Sequence, residues 1–246
     1  MNPNNALLPL ESQNCQYAFY FSSNAGQSFY QANHERFYSA SIIKVPILLA
    51  WIHLERSGEV NQAELCRMDD EPQVQGAGFS WLMRARQLPY QDVLLMMIAL
   101  SDNLCTNLVI RRAGLERLNR VFREVLGLKG TELQRKLMDY EARSRGLDNW
   151  ITAQDCIRLF DCLADLSADE RRWVDTMLDA NTDNALLMRD IPRDTLDFCH
   201  KTGSMTGVLH DWGYTNTCRM FLLTQQVNDE VPAFGVFGQL GRLMIE

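Results

Sequence analysis

A chain of 246 residues, 46% apolar and 22% charged, is long enough to bury a core of its own and ordinary enough in composition to be globular. Its net charge of −7 excludes a surface built for nucleic acid or anionic lipid. Phosphate binding needs clustered Lys and Arg, and the basic pairs here, Arg111-Arg112 and Arg171-Arg172, sit among acidic neighbours. Seven cysteines and four histidines show neither C-x-x-C nor metal-ligand spacing, so no metal or other cofactor is expected. An odd number of thiols suits a reducing compartment.

Residues 1–12 carry no basic segment and no long apolar core. As it stands the sequence predicts a cytoplasmic protein, and a periplasmic or secreted one if a leader has been removed. No run of about 20 apolar residues is present to span a membrane. Residues 16–32 predict a hairpin turning at Asn24-Ala25-Gly26. From Ser41 to Ile52 the chain reads as a helix apolar nearly all round, hence buried, with Pro46 tolerated in its opening turns. Ser41 and Lys44 share one face of it. A serine hydroxyl needs a base to attack a carbonyl. A lysine on a buried helix is costly as a cation unless paired or unless its pKa falls, which is how Lys44 becomes that base. N–H groups of the first turn, unpartnered within the helix, can stabilise an oxyanion. The alternative is a lysine whose stem lies on apolar surface while its head reaches water.

The apolar run from Asp92 to Leu100 predicts a second helix, and Asn107–Arg112 a third. Ser101-Asp102-Asn103 therefore sits at a turn between helices, where side chains project. These are also preferred helix N-caps, which is the simpler alternative. Thr152 is the predicted N-cap of a helix that carries Cys156 and Cys162 as small core residues. Residues 41 to about 190 read as mainly helical. Strands return from about 194 to 225, around Lys201-Thr202-Gly203-Ser204. Gly203 lets a ligand approach the backbone; the alternative is a plain hairpin bend within Ser204–Gly207. Cys199 and His200, adjacent on a strand, point to opposite faces and so do not form a thiol–imidazole pair. Residues 234–245 predict a final helix. Strands at both ends with helices between predict an α/β fold, with one antiparallel sheet built from both chain ends, flanking helices and an all-helical subdomain. The layout is a single domain, 1–246, with an α/β part at about 15–45 and 190–246 and a helical part at about 46–189. Ser41 lies at their junction, where a cleft is expected.

Read together and in this order, S-x-x-K at Ser41–Lys44, S-D-N at Ser101–Asn103 and K-T-G at Lys201–Gly203 resemble the motif set of class A serine β-lactamases and penicillin-binding proteins. The interval from Ser41 to Ser101 matches that family's without a gap. Gly76–Leu82 resembles its loop beside the cleft entrance, Asp148–Asp155 the end of its omega loop, and Gly207–Asp211 its strand after K-T-G, with Asp211 structural. The likeness runs over roughly residues 15–246. It implies a β-lactamase/transpeptidase-like fold and a serine hydrolase that works through an acyl-enzyme on a small-molecule substrate, a β-lactam or a related amide bearing a carboxylate. Ser41 would be the nucleophile, Lys44 its base, and Ser101 the relay of a proton to the leaving nitrogen. Asn103 would hold the acyl amide. Lys201 would orient Ser101 and the substrate carboxylate with Thr202 and Ser204, and the N–H groups of Ser41 and Ser204 would form the oxyanion hole beside Gly203. A D-alanyl carboxypeptidase, esterase or amidase on the same machinery stays open, as does a slowly deacylating binding module. The oligomeric state is open too.

One departure matters. The family's omega-loop glutamate, which activates the deacylating water, falls here at Leu137. Asp139 and Glu141 lie close by in sequence, and Glu141 is the candidate substitute base; the alternative for both is a solvated loop face.

Overall fold

The computed structural model describes residues 3–246. A helix absent from the sequence reading, α1 (Pro3–Glu11), precedes the expected hairpin of β1 (Gln16–Ser23) and β2 (Ser28–Ala32). The pair is antiparallel with Tyr20 opposite Tyr30, and the turn is closed by Gly26 at φ +85°. After β3 (Arg36–Tyr38), a 3-10 turn over Ala40–Ile43 leads into α2 (Lys44–Arg56), buried on all sides from Lys44 to Ile52. The stretch read as mainly helical is interrupted more than expected. Residues 57–89 are largely irregular around the short pair β4 (Leu65–Arg67) and β5 (Gln87–Pro89). Then come α3 (Tyr90–Ala99), α4 (Asn103–Ala113) and α5 (Leu115–Glu124), followed by an irregular loop over 125–139, α6 (Tyr140–Ser144), and β6 (Trp150–Thr152), which pairs with β3. Three residues per strand are too few to show an alternating pattern, so this pairing had no signature. α7 (Ala153–Cys162) starts where expected, with Thr152 Oγ1 accepting from Asp155 N, and buries both Cys156 and Cys162.

After α8 (Ala168–Asp179) come β7 (Cys199–Met205), β8 (Val208–Tyr214) and β9 (Cys218–Gln225). The final helix, α9 (Glu230–Gly241), starts earlier than read, at an Asp229 cap, and ends in a 3-10 turn. The antiparallel five-stranded sheet has the order β2-β1-β9-β8-β7, so β1 from one end of the chain pairs with β9 from the other. Alternate residues serve two cores. Tyr17, Phe19, Phe21, Met220 and Leu222 join the side chains of α1 and α9. Ala18, Trp212, Phe221 and Leu223 join those of α2, α4 and α7 on the other face. A period of two on a sheet covered on both sides accounts for strands that read as almost continuously apolar. His210 on β8 ties the sheet to β3: its Nε2 lies 2.7 Å from the Tyr38 carbonyl while its Nδ1 accepts from Thr224 N. Burial drives its pKa down to about 4, so it is neutral. All seven cysteines are free thiols. No helix among the described residues is long and apolar enough to cross a membrane.

Candidate active site

A cleft of about 600 Å³ opens where the helices meet the K-T-G edge of the sheet. Ser41 lies on its floor in the 3-10 turn that leads into α2, and Lys44 is completely buried beneath it, so the surface-reaching alternative does not hold. Lys44 Nζ lies 3.1 Å from Ser41 Oγ, 3.0 Å from Ser101 Oγ, 3.1 Å from Asn103 Oδ1 and 2.5 Å from the Ser101 carbonyl. Burial, and then the nearby charge of Lys201, hold its pKa well below the ordinary lysine value. A neutral amine has two N–H bonds and one lone pair. The Ser101 carbonyl and the Asn103 amide oxygen can only accept, so they take the two N–H bonds. The lone pair is left for the hydroxyls.

Ser101, Asp102 and Asn103 form the turn between α3 and α4, with Ser101 strained at φ +54°. Asp102 does cap α4, accepting from Cys105 N, and it also accepts from Ser80 N and Ser80 Oγ. The cap thus clamps the loop at 76–82 to the turn, and Gly76 and Ala77 line the cleft as expected. Gly78 makes this possible at φ +78°, since a Cβ there would lie 2.1 Å from Asp102 Oδ2. Asn103 Nδ2 donates to the Gln75 carbonyl, so its amide is tied into the site at both ends.

On β7, Gly203 lies so close to the 3-10 turn that a Cβ would meet Ser41 N at 2.9 Å and Ile42 N at 3.1 Å. Ser204, also in the cleft wall, follows at once. Lys201 is fully buried, and burial takes its pKa down to about 8 despite Asp183 and Asp211. Its Nζ donates to the Thr202 carbonyl rather than to Ser101, so the expected contact with Ser101 is not made. Thr202 Oγ1 donates to Asp183 Oδ2 at 2.9 Å. Asp183 was missed in the sequence; nothing in the loop run Asn181–Asn184 links it to a strand nineteen positions on. Asp211, expected as structural, accepts from Leu187 N and lies 2.9 Å from His200 Nδ1, holding that loop to β8. Cys199 Sγ instead meets the Asp175 carbonyl, on the other face from His200.

The opposite wall is the loop ending at α6. Arg135 pairs with Asp148 at 2.6 Å, both nearly buried, and Asn149 Oδ1 accepts from Gln134 N and Arg135 N. Lys136 pairs with the buried Glu71. Asn107 holds Leu137 by donating to its carbonyl and accepting from its N–H. Leu137 thus faces the cleft. Asp139 caps α6. Glu141 must be corrected: its side chain is 82% exposed, pairs with Arg145 on the outer side of α6 and does not line the cleft. Among the described residues, the carboxylates lining the cleft are Asp148, committed to its arginines, and Asp183.

The profile of the Beta-lactamase2 family, described as a beta-lactamase enzyme family, matches residues 4–246. No curated protein sequence matches the chain. Among solved structures, a β-lactamase from Sphaerobacter thermophilus is 24% identical, over 99% of this chain and 94% of that one, with a TM-score of 0.86. A PBP-A mutant, solved as its acyl-enzyme complex with penicillin G, is 24% identical over 98% and 94% with a TM-score of 0.84. A class A β-lactamase from Mycobacterium abscessus is 18% identical over 100% and 98% with a TM-score of 0.83. At these identities the likeness to solved structures establishes the fold.

Proposed function

The chain belongs to the beta-lactamase enzyme family, a family of serine hydrolases, and we propose that within it this protein forms an acyl-enzyme on Ser41 from a β-lactam or related amide and releases the acyl group slowly. The observation that carries the first half is the buried Lys44 amine between two hydroxyls. Its lone pair takes the Ser41 proton as Oγ attacks the carbonyl carbon. The carbonyl oxygen becomes an oxyanion against the N–H groups of Ser41 and Ser204, donors fixed before the reaction begins. Lys44 passes the proton to Ser101, whose hydroxyl gives up its own to the departing nitrogen, and the C–N bond breaks.

Slow release is supported by Leu137. Hydrolysis of the ester needs a base to take a proton from water, and Leu137 offers none, while Glu141 points away. The base in contact with Ser41 is Lys44, and its two carbonyl partners fix it towards the hydroxyls. A mutant of PBP-A, solved as its penicillin G acyl-enzyme, shows that this fold can hold such an intermediate. The cleft suits a small molecule. Six buried thiols and one half-buried thiol favour a reducing compartment.

Intact mass and absorbance after mixing with penicillin G test both halves. One equivalent of adduct on Ser41, stable while turnover stays near zero, is expected, with none on Ser41→Ala. Leu137→Glu should turn over about 10²-fold faster, the size of a general-base contribution. Labelling of Ser41→Ala overturns the nucleophile, and sustained turnover by the unmodified protein overturns slow release.

A further inference from the structure

The end of the cleft beside Thr202 and Ser204 has an acceptor character that suits a carboxylate poorly. Asp183 stands there on an exposed loop, with Oδ2 receiving the Thr202 hydroxyl proton and Oδ1 receiving Ala185 N. No Lys or Arg forms an ion pair with it among the described residues. The arginines of the cleft, Arg135 and Arg143, are both on the opposite wall and share Asp148. Because Thr202 gives its proton to Asp183, its oxygen turns lone pairs, not a proton, to the cleft. The Lys201 ammonium lies below and donates to the Thr202 carbonyl. A ligand carboxylate placed here meets a carboxylate and an accepting hydroxyl, with the Ser204 and Thr206 hydroxyls as donors. A ligand N–H meets two acceptors.

We propose that Asp183 sets the substrate class: it selects, at the Thr202 end of the cleft, a substrate presenting an ammonium or amide N–H group, and disfavours one presenting a carboxylate. This deepens the reading of Ser41 as an acylated nucleophile and rests on it. Asp183 is a specificity residue that touches the ligand's charged end and takes no part in the acyl transfer.

The test compares acylation rate constants for penicillin G and its uncharged methyl ester on the unmodified protein and on Asp183→Asn. The asparagine oxygen can still accept from Thr202, its NH2 gives up the bond from Ala185 N, and the uncharged ester reports any change that comes from the loop rather than from the charge. The ester should acylate the unmodified protein faster than the acid. Asp183→Asn should speed the acid by about tenfold, as expected for one partly screened like-charge contact, and leave the ester within twofold. Equal change for both ligands would indicate a merely structural role and overturn the proposal, as would no change for either. A second arm uses phenylboronic acids with a meta carboxylate or a meta aminomethyl group, which bind the serine without turnover. If neither penicillin labels Ser41, the proposed function fails, and this pair still decides the present inference. Tighter binding of the amine, reversed or levelled in Asp183→Asn, supports it. Tighter binding of the carboxylate by the unmodified protein, or binding of neither, overturns it.

Discussion

Two buried lysines, Lys44 and Lys201, set the electrostatics around Ser41. Each is pushed towards the neutral form by burial, and the charge of Lys201 pushes Lys44 further. Lys201, at about 8, is charged at neutral pH and loses its proton as the pH rises through that value. Its attraction for an anionic ligand is therefore present below about pH 8 and lost above it. Acylation by penicillin G should fall from pH 7 to pH 9 relative to acylation by the methyl ester, which has no anion to lose; parallel profiles for the two would remove Lys201 from ligand binding. Among the described residues, three of the six non-glycine positions with positive φ, Ala40, Ser101 and Met138, line the cleft. Such strain persists only where the surroundings over-determine it, and here it aims the Ser101 hydroxyl at Lys44. Ser41, Lys44, Ser101 and Asn103 were legible because the chemistry demands those residue types at short, fixed spacings, and the structure brings them together. Glu141 misled because position along a loop does not say where a side chain points, and Arg145 draws it outward. Asp183 was illegible because its role depends on a strand far along the chain.

At the scale of elements, the site is an arrangement of backbone held by side-chain clamps. The 3-10 turn, the α3–α4 turn, the 76–82 loop and β7 meet edge to edge. Asp102 joins two of them, Asn107 holds the Leu137 loop, and Asp211 holds the loop that carries Asp183. Gly78→Ala should break the first of these clamps. Its Cβ would overlap Asp102 and its positive φ would be strained, so a loss of at least about 1 kcal/mol of stability is expected, with slower acylation as the α3–α4 turn shifts. Thermal unfolding and adduct formation measure both, and an unchanged rate would mean that the clamp does not position the site. The long helices, the hairpin and the K-T-G strand were legible because their periods run for several turns or residues. The β3–β6 pair, α1 and the irregular stretches were not, since short or proline-containing segments carry little pattern and are fixed by tertiary contacts.

The whole molecule is closed by the pairing of β1 with β9, whose residues lie as far as 209 positions apart in the chain. Joining contacts so distant makes folding slow. The side chain of Asn228 donates to the Gln13 carbonyl, and the Gln13 side chain accepts from Asp229 N, so the two end segments already touch. A circular permutant with the present ends linked, and opened at the exposed turn around Gly58, brings β9 and β1 close in sequence. It should refold roughly tenfold faster in stopped-flow fluorescence; an equal rate would show that β1–β9 pairing is not the slow step.

The same closure has a consequence for the chain as it is made. At about 5–20 residues per second, the strand bearing Lys201 follows the turn bearing Ser41 from the ribosome by roughly ten to thirty seconds. Throughout that interval the serine and its lysine exist without the Ser204 N–H that would polarise a carbonyl, and α2, almost wholly apolar, has no sheet to lie on. Nascent chains are therefore chemically silent towards the ligand but sticky towards one another. On the proposed function, the serine becomes reactive only as the core is completed, and a chain truncated before β7 would be a client for chaperones and proteases rather than a partial enzyme.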